Sequence, residues 1–152
     1  MLVSGGGSGI GKTIVRGFTR QKCKVAFIDI ARGASEVLAV ELSANGHEVH
    51  FEYADLRDIT ALRAPISRVK DRFGPAQVLV NNAAHDERHV TADVTQEYWD
   101  DRISANPKHQ FFASQAVLPG MQASGSGVII NVGSISWMIG QGGMAAYTAS
   151  TP

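Results

Sequence analysis

The sequence lacks the features that mark secreted, membrane-spanning and nucleic-acid-binding proteins. Its 152 residues include a single cysteine, Cys23, which can form no disulfide bond within the chain. The 14 Lys and Arg residues balance the 14 Asp and Glu residues, so no excess of positive charge favours nucleic acid or an anionic lipid surface. No apolar run approaches the ~18 residues of a membrane span, and residues 1–5 do not have the charged and apolar regions of a signal peptide. We therefore expect a cytoplasmic protein without a membrane or nucleic-acid partner.

Glycine, by contrast, is abundant. The chain has 16 glycines, and those at positions 5, 6, 7, 9 and 11 crowd into one short segment. Glycine loses more backbone entropy on folding than any other residue, so such a cluster is costly unless the backbone must turn tightly or approach a ligand. Because the cluster directly follows an apolar run, it predicts a binding loop rather than a low-complexity segment.

Short apolar runs alternate with segments of helical spacing along the whole chain. The runs predict strands at residues 2–3, 24–28, 49–53, 78–80 and 128–130. Helical spacing predicts helices between them, including a long one from about Gln96 and another near Met144. The alternation predicts one α/β domain over residues 1–152, with a doubly wound parallel sheet. The first strand and the last helix are unusually short, so we expect a larger fold truncated at both ends.

Three further features predict local departures from this regular pattern. Pro65 and Pro107 lie inside helical patterns, where proline is expected to kink the helix or to cost about 3 kcal/mol. The run 128–132 has no following strand to cover it, so we expect an exposed apolar edge. The aromatic residues Trp99, Phe111 and Phe112 are expected in the core.

The glycine loop fits two kinds of nucleotide site. Gly5, Gly9 and Gly11 lie after a strand and before a helix, as in loops that place backbone N–H groups against a dinucleotide pyrophosphate. Asp29, eighteen residues after Gly11 at the end of the next strand, is suitably placed for a ribose hydroxyl.

The same residues also match a P-loop. Gly6, Gly11, Lys12 and Thr13 complete the pattern G-x-x-x-x-G-K-T of nucleoside triphosphatases and kinases. The following apolar strand ends in Asp29, as does the strand that supplies a magnesium ligand in such proteins. The loop alone leaves both interpretations open, together with a glycine-rich turn that binds nothing.

The rest of the chain carries a resemblance that bears on this choice. The glycine loop Ser4–Gly11 is followed by Ala54–Leu56, Asn81–Ala84, Ile130–Ser134 and finally Tyr147, thirteen residues after Ser134. In this order the segments resemble the short-chain dehydrogenase/reductase family, except that Ala84 replaces a glycine. The resemblance implies a Rossmann-type sheet of strand order 3-2-1-4-5, incomplete here, and hydride transfer between NAD(P) and a hydroxyl or carbonyl substrate.

The resemblance also implies a set of cofactor-binding residues. They are Gly5, Ser8, Gly9, Ile10 and Gly11 of the loop, Asp29, Asp55 and Leu56 after the second and third strands, and Asn82, Ala83 and Ala84 after the fourth. A carboxylate at position 29 favours NAD, because it accepts hydrogen bonds from ribose hydroxyls and repels a 2′-phosphate. Arg32 is the nearby residue that would accommodate such a phosphate.

By the same resemblance, Tyr147 is the proton acceptor, Ser134 polarises the reacting C–O bond and Asn106 holds a water molecule. Ser136 is a weaker candidate than Ser134, because its spacing from Tyr147 is shorter. The family's lysine falls at position 151, which is Thr151. A tyrosine hydroxyl without a neighbouring cation has a pKa of about 10, so only about one in 10³ is ionised at pH 7. An inactive nucleotide-binding fragment is therefore the alternative to an active enzyme.

A longer resemblance narrows the substrate. The segments Asn81–His89, Ala92–Thr95, Tyr98–Asp100 and Gly133–Trp137 resemble the NAD-dependent aldose 1-dehydrogenases of the family, which oxidise a sugar such as D-xylose at C1 to a lactone. This implies a small-molecule sugar substrate and a homo-oligomer. His85–His89 superficially matches a zinc motif, but that motif requires a helix and this segment follows a strand, so we expect no metal site.

Overall fold

The computed structural model describes residues 1–151 as one parallel sheet flanked by helices. The strands are β1 (Leu2–Ser4), β2 (Val25–Asp29), β3 (Val49–Tyr53), β4 (Val78–Asn81) and β5 (Val128–Asn131). Their order in the sheet is β3-β2-β1-β4-β5, which confirms the prediction. The chain reverses direction across the sheet between β1 and β4, and in such sheets ligands bind at that reversal, outside the carboxyl ends of the strands.

The helices alternate with the strands as the sequence predicts. They are α1 (Gly9–Arg20), α2 (Arg32–Ala44), α3 (Ile59–Phe73), α4 (Gln96–Ile103), α5 (His109–Ser124) and α6 (Ala145–Ser150). A 3-10 turn at Thr91–Asp93 precedes α4, and a π turn at Ser104–Lys108 joins α4 to α5. Within residues 1–151, no helix is both long and apolar enough to cross a membrane.

Each face of the sheet carries its own apolar core, because side chains alternate along a strand. In β1, Leu2 packs on one face with Leu62 of α3 and Val117 of α5. Its neighbour Val3 packs on the other face with Val15 of α1 and Leu38 of α2. Even this short first strand is fully buried, so its position between β2 and β4 is fixed by contacts on both faces.

The two prolines behave differently. Helix α3 continues without interruption through Pro65, whose ring is buried on the same face as Leu62, Ile66 and Val69. This burial offsets part of the lost backbone hydrogen bond. At Pro107 the expected disturbance is confirmed, since the helix widens into the π turn there. Such π turns are common at functional sites.

The exposed edge is confirmed, whereas the aromatic prediction is wrong for two residues. Val128 and Ile130 of β5 remain 52% and 43% exposed at the edge of the sheet. Trp99 is 38% exposed and Phe111 is 63% exposed, and only Phe112 packs against the core. The buried face of α5 repeats every four residues from His109 through Ala113, Val117 and Met121, which leaves position 111 on the solvent side.

Candidate active site

A cleft of about 730 Å³ opens at the carboxyl edge of the sheet, where β1 and β4 end. All residues predicted to bind the cofactor line it except Gly11: Gly5, Ser8, Gly9, Ile10, Asp29, Asp55, Leu56, Asn82, Ala83 and Ala84. Tyr147 of α6 lines the same cleft. Ile30 and Ala31, which the sequence analysis missed, also line it, and they follow directly on Asp29. Because Val132 and Gly133 after β5 line it as well, the fold gathers residues from the ends of all five strands around one volume.

Two glycines make the loop geometrically possible. Gly5 has a φ of +68°, a conformation that side chains disfavour, and a Cβ there would lie 2.7 Å from the Ala83 Cα atom. A Cβ on Gly11 would lie 1.8 Å from the Gly5 carbonyl oxygen. Gly11 is therefore required for close packing of α1 against the loop, and it is buried rather than part of the cleft wall.

The loop also holds the carboxylate at the end of β2. The Gly7 N–H donates to Asp29 Oδ2 at 2.8 Å, and the Ala31 N–H donates to Oδ1 at 2.8 Å. Each carboxylate oxygen retains a second lone-pair direction for another donor. The side chain is nearly buried, so its position is set by the backbone before any ligand arrives.

A buried serine ties the loop to β4 and α5. Ser4 Oγ accepts hydrogen bonds from the backbone N–H groups of Asn82 and Ala83, at 3.0 and 3.1 Å. It also lies 3.2 Å from His109 Nε2. Because His109 Nδ1 faces the Ala105 carbonyl at 2.6 Å, the ring proton must be on Nδ1, and Ser4 donates its own proton to Nε2. Burial lowers the pKa of His109 to about 4, so the ring is neutral.

One arginine and no lysine lines the cleft in the described part of the chain, and two carboxylates hold the guanidinium. Arg57 donates to Asp55 Oδ2 at 2.6 Å and to Asp101 Oδ1 at 2.9 Å. The hydrogen bond from Arg57 lowers the pKa of Asp55, and both carboxylates raise the pKa of Arg57. The guanidinium therefore keeps its positive charge, and two carboxylates already balance that charge at the rim of the cleft.

Of the three residues predicted to be catalytic, Tyr147 alone lines the cleft in this structure. Ser134 is partly buried, and its Oγ accepts a hydrogen bond from the Ser136 N–H at 3.2 Å. In residues 1–151 no hydrogen bond joins the Ser134 and Tyr147 hydroxyls directly. Ser136 is 1% exposed, its hydroxyl has no partner in residues 1–151, and like Ser134 it does not line the cleft.

Asn106 is fully buried in the π turn, and its side chain already has partners. Its Oδ1 accepts the His85 N–H at 2.8 Å, and its Nδ2 donates to the His85 carbonyl and to Ser150 Oγ. Both amide donors are occupied, so the side chain clamps the loop after β4 to α6. The role of Asn106 in holding a water molecule stays a prediction. Of its side-chain atoms, Oδ1 still has one lone pair that could accept a hydrogen bond from water.

Thr151 does not replace the family's lysine. Its hydroxyl donates to the Tyr147 carbonyl at 2.8 Å, and its own carbonyl accepts the Ser134 N–H at 3.2 Å. The side chain is buried against the backbone of α6. Position 151 therefore joins Ser134 to α6 but brings no positive charge to the cleft.

The loop after β4 contains contacts that the sequence did not predict. Arg102 of α4 is 5% exposed, stacks over the Tyr98 ring and donates to Glu87 Oε2 and His85 Nδ1. The spacing of Tyr98 and Arg102, four residues apart on one helix, is a signal that could have indicated this stacking. His85 and Asp86 line the cleft, and within residues 1–151 no three His, Cys, Asp or Glu residues are grouped as metal ligands.

The P-loop residues are not directed to the cleft. Thr13 is exposed, and its hydroxyl donates to the Gly9 carbonyl within α1. Neither Lys12 nor Thr13 lines the cleft. A P-loop uses these two side chains to hold phosphate and magnesium, so the geometry favours the dinucleotide interpretation.

Comparisons with known proteins agree with this geometry. The family model described as short chain dehydrogenase matches residues 1–151. The chain is 44% identical to "Probable galactose dehydrogenase GalD" of Rhizobium meliloti over 99% of its length, and 43% identical to the D-xylose 1-dehydrogenase of Caulobacter vibrioides over 97%. It spans 59% and 58% of these relatives. A crystal structure of a variant actinorhodin polyketide ketoreductase with NADPH superposes with a TM-score of 0.92 at 32% identity, over 98% of this chain and 58% of that one.

Proposed function

This chain belongs to the short chain dehydrogenase family, and from that premise we propose that it forms the cofactor-binding part of an NAD-dependent oxidoreductase. The reaction is hydride transfer between the nicotinamide and a hydroxyl or carbonyl substrate. The observation that carries this proposal is that the glycine loop, Asp29 and Tyr147 line the same cleft. Because the chain spans only about 58% of the length of these relatives, we propose this activity for a protein of their full length.

The residues of the cleft fit a dinucleotide. Gly9 has a φ of +49°, and a Cβ there would meet no atom within 4 Å, so its backbone is open to a pyrophosphate. The N-terminus of α1 begins at this residue and favours a negatively charged group. Asp29 is suitably placed for ribose hydroxyls, and Asp55 and Leu56 form the wall on which an adenine would lie.

Charge favours NAD over NADP. Asp29 would repel a 2′-phosphate, and Arg57 is already paired with two carboxylates. Arg32, the other candidate for holding the phosphate, lies 4.1 Å from the centre of the Tyr53 ring and 3.7 Å from a Glu36 oxygen. The related ketoreductase was crystallised with NADPH, so this choice has to be tested on the present chain.

In the mechanism, the bound nicotinamide supplies the hydride acceptor, and the protein positions the substrate and moves its proton. Tyr147 accepts the proton of the reacting hydroxyl as general base. Ser134 hydrogen-bonds the reacting oxygen, and its backbone is held in place by the Thr151 carbonyl. Asn106 fixes the loop that forms the substrate side of the cleft.

The proposed substrate is an aldose that is oxidised at C1 to a lactone. Two relatives are described as galactose and D-xylose dehydrogenases, and they match nearly the whole chain. The substrate side of the cleft presents polar groups, His85 and Asp86, which suit a ligand rich in hydroxyl groups. We further propose a cytoplasmic homo-oligomer, with the exposed Phe111 of α5 as part of the apolar surface for a partner.

A specific observation favours a second candidate function. Thr151 supplies no cation to Tyr147, and an inactive nucleotide-binding fragment would have this property. Such a fragment binds the dinucleotide normally, because Thr151 does not line the cofactor cleft. Binding and turnover therefore have to be measured separately.

The deciding experiment is a fluorescence titration of this 152-residue chain with NADH, with NADPH and Mg·ATP as competitors. We expect saturable NADH binding that the other two nucleotides barely displace. Asp29→Asn removes the charge, so it is expected to raise the affinity for NADPH relative to NADH. The matched control Asp71→Asn changes an exposed residue of α3 and leaves both affinities unchanged. Displacement by ATP that depends on Mg²⁺ would instead favour a P-loop enzyme, and no binding at all would contradict both proposals.

A further inference from the structure

Helix α6 carries Tyr147 but has no capping side chain of its own. The residue before it is Met144, whose thioether provides no oxygen atom for the free N–H groups of the first turn. The acceptor comes from a distant part of the chain instead. The Ala145 N–H donates to Nε2 of His89 at 3.1 Å.

The other contacts of His89 determine where its ring proton lies. Since Nε2 accepts a hydrogen bond, the proton of a neutral ring must be on Nδ1. Nδ1 lies 2.8 Å from the Tyr98 hydroxyl, and that hydroxyl lies 3.3 Å from the Glu87 carbonyl, to which it donates. The two rings also pack edge to face with their centres 4.8 Å apart. One neutral tautomer therefore satisfies every polar atom in this chain of contacts.

The segment around His89 is fastened to the turn before α6. The His89 backbone N–H donates to the Gly143 carbonyl at 2.8 Å, and the Arg88 guanidinium donates to the Gly142 carbonyl at 3.3 Å. The loop after β4 and the turn before α6 are thus joined by three hydrogen bonds, of which one runs through the imidazole ring.

We propose that His89 is a positioning residue for Tyr147. The neutral imidazole, with its proton on Nδ1, caps the first turn of α6 and thereby fixes the helix on which the proton acceptor lies. The inference rests on the proposed function for its catalytic meaning, since Tyr147 is the general base only in that function. His89 itself does not line the cleft, so it acts through α6 and not through the substrate.

The proposal has a consequence in acid. A protonated imidazole carries hydrogen on both nitrogens, so Nε2 would oppose the Ala145 N–H and the cap would be lost. The titratable group in direct contact with the ring is Tyr98 from α4, and Glu87 presents its backbone carbonyl to Nδ1 at 3.4 Å. The charged groups beyond them are Arg102, which lies over the Tyr98 ring and donates to the Glu87 carboxylate, and Arg88, which donates to the Gly142 carbonyl. In α6 and the turn before it, the titratable residue is Tyr147, and the group that contacts the ring is the Ala145 backbone N–H.

The test uses nuclear magnetic resonance on the isotopically labelled 152-residue chain. Two-bond ¹H–¹⁵N correlations of the His89 ring report its tautomer, amide exchange reports the Ala145 cap, and the Tyr147 ring signals report the position of α6. At pH 8 we expect the Nδ1–H tautomer and a protected Ala145 amide. As the ring is protonated, we expect that protection to fall together with a shift of the Tyr147 signals.

Two variants separate capping from general packing. His89→Ala is expected to speed exchange at Ala145 about fivefold, after correction for intrinsic rates, since a lost cap has about that effect. In His89→Gln, the amide oxygen takes the place of Nε2 and cannot be protonated, so protection is restored and becomes independent of pH. His47→Gln, in the turn between α2 and β3, serves as the matched control and leaves α6 unchanged.

Two results would overturn the proposal: an Nε2–H tautomer at pH 8, or an Ala145 amide and Tyr147 signals that do not change in His89→Ala. NADH affinity is measured on the same samples as a separate readout of the cofactor cleft. Failure of the wild-type chain to bind NADH would contradict the proposed function and leave the capping test intact. Normal NADH binding with an unperturbed α6 in His89→Ala would contradict the cap alone.

Discussion

The hydroxyl of Ser4 and Nε2 of His109 lie 3.2 Å apart in the interior, where one hydrogen bond connects the end of β1 with the first residue of α5. The same hydroxyl accepts the backbone N–H groups of Asn82 and Ala83. One small side chain therefore joins the glycine loop, the segment after β4 and the helix that begins beside the Asn106 turn. A group with three partners and no access to solvent is costly to remove.

Ser4→Ala is expected to lower the free energy of unfolding by about 1–3 kcal/mol, because it leaves two backbone donors and one ring nitrogen buried without a partner. Urea denaturation followed by circular dichroism measures this change. Ser43→Ala provides the control, since Ser43 is exposed on α2 and its substitution is expected to change stability by less than about 0.5 kcal/mol. Equal stability of the two variants would show that the Ser4 network contributes nothing.

His109 predicts a dependence of stability on pH. Burial lowers its pKa in the folded chain to about 4, below the ordinary value of 6.5. Below pH 6.5 the unfolded chain takes up a proton that the folded chain does not, so stability is complete above 6.5 and is lost as pH falls towards 4. The loss is on the order of 3 kcal/mol. Denaturation at pH 7.0 and 4.5 measures it, and in His109→Gln this part of the pH dependence should disappear.

Glu52 affects the stability of the fold at a lower pH than His109 does. Burial raises the pKa of Glu52, but hydrogen bonds from Arg68 and His50 outweigh this effect and bring it below the ordinary value. The ion pair therefore stabilises the fold above about pH 4.5 and is lost as pH falls further. Arg68→Met should destabilise the chain at pH 7 more than Arg20→Met, which removes an exposed charge from the end of α1. Comparable unfolding midpoints for the two variants would contradict this.

Replacement by alanine is expected to be harmful at Gly5 and stabilising at Gly33. Gly5→Ala should weaken or abolish NADH binding, because φ is +68° and the added Cβ would lie 2.7 Å from the Ala83 Cα atom. Gly33→Ala adds a Cβ that meets no atom within 4 Å inside α2, so it should stabilise the chain by about 0.5–1 kcal/mol. NADH titration and thermal unfolding of both variants test the pair. Normal NADH binding by Gly5→Ala would show that the loop tolerates a side chain.

The sequence is informative about the cleft because its walls are strand ends. Asp29, Asn82 and Gly5 each follow an apolar run, and a parallel sheet brings the carboxyl ends of all its strands to one edge. Contacts between helices and loops leave no comparable pattern in the sequence. The pairing of His89 with Ala145 depends on how α6 packs, and the exposure of Phe111 depends on which face of α5 meets the sheet. Periodicity locates a helix, but tertiary packing decides which side is buried.

Position 151 offers the sharpest test of catalytic competence. An ammonium group beside a phenol favours its ionised form, and Thr151 provides none. Thr151→Lys should therefore raise the rate of NAD reduction with an aldose by about 10²-fold or more, which is the usual contribution of a matched general base. Thr151→Met is the control, since it has a long flexible side chain without charge. A rate gain in the lysine variant alone would identify the missing cation as the defect. Normal NADH binding without any gain would place the defect in the segment by which the relatives are longer.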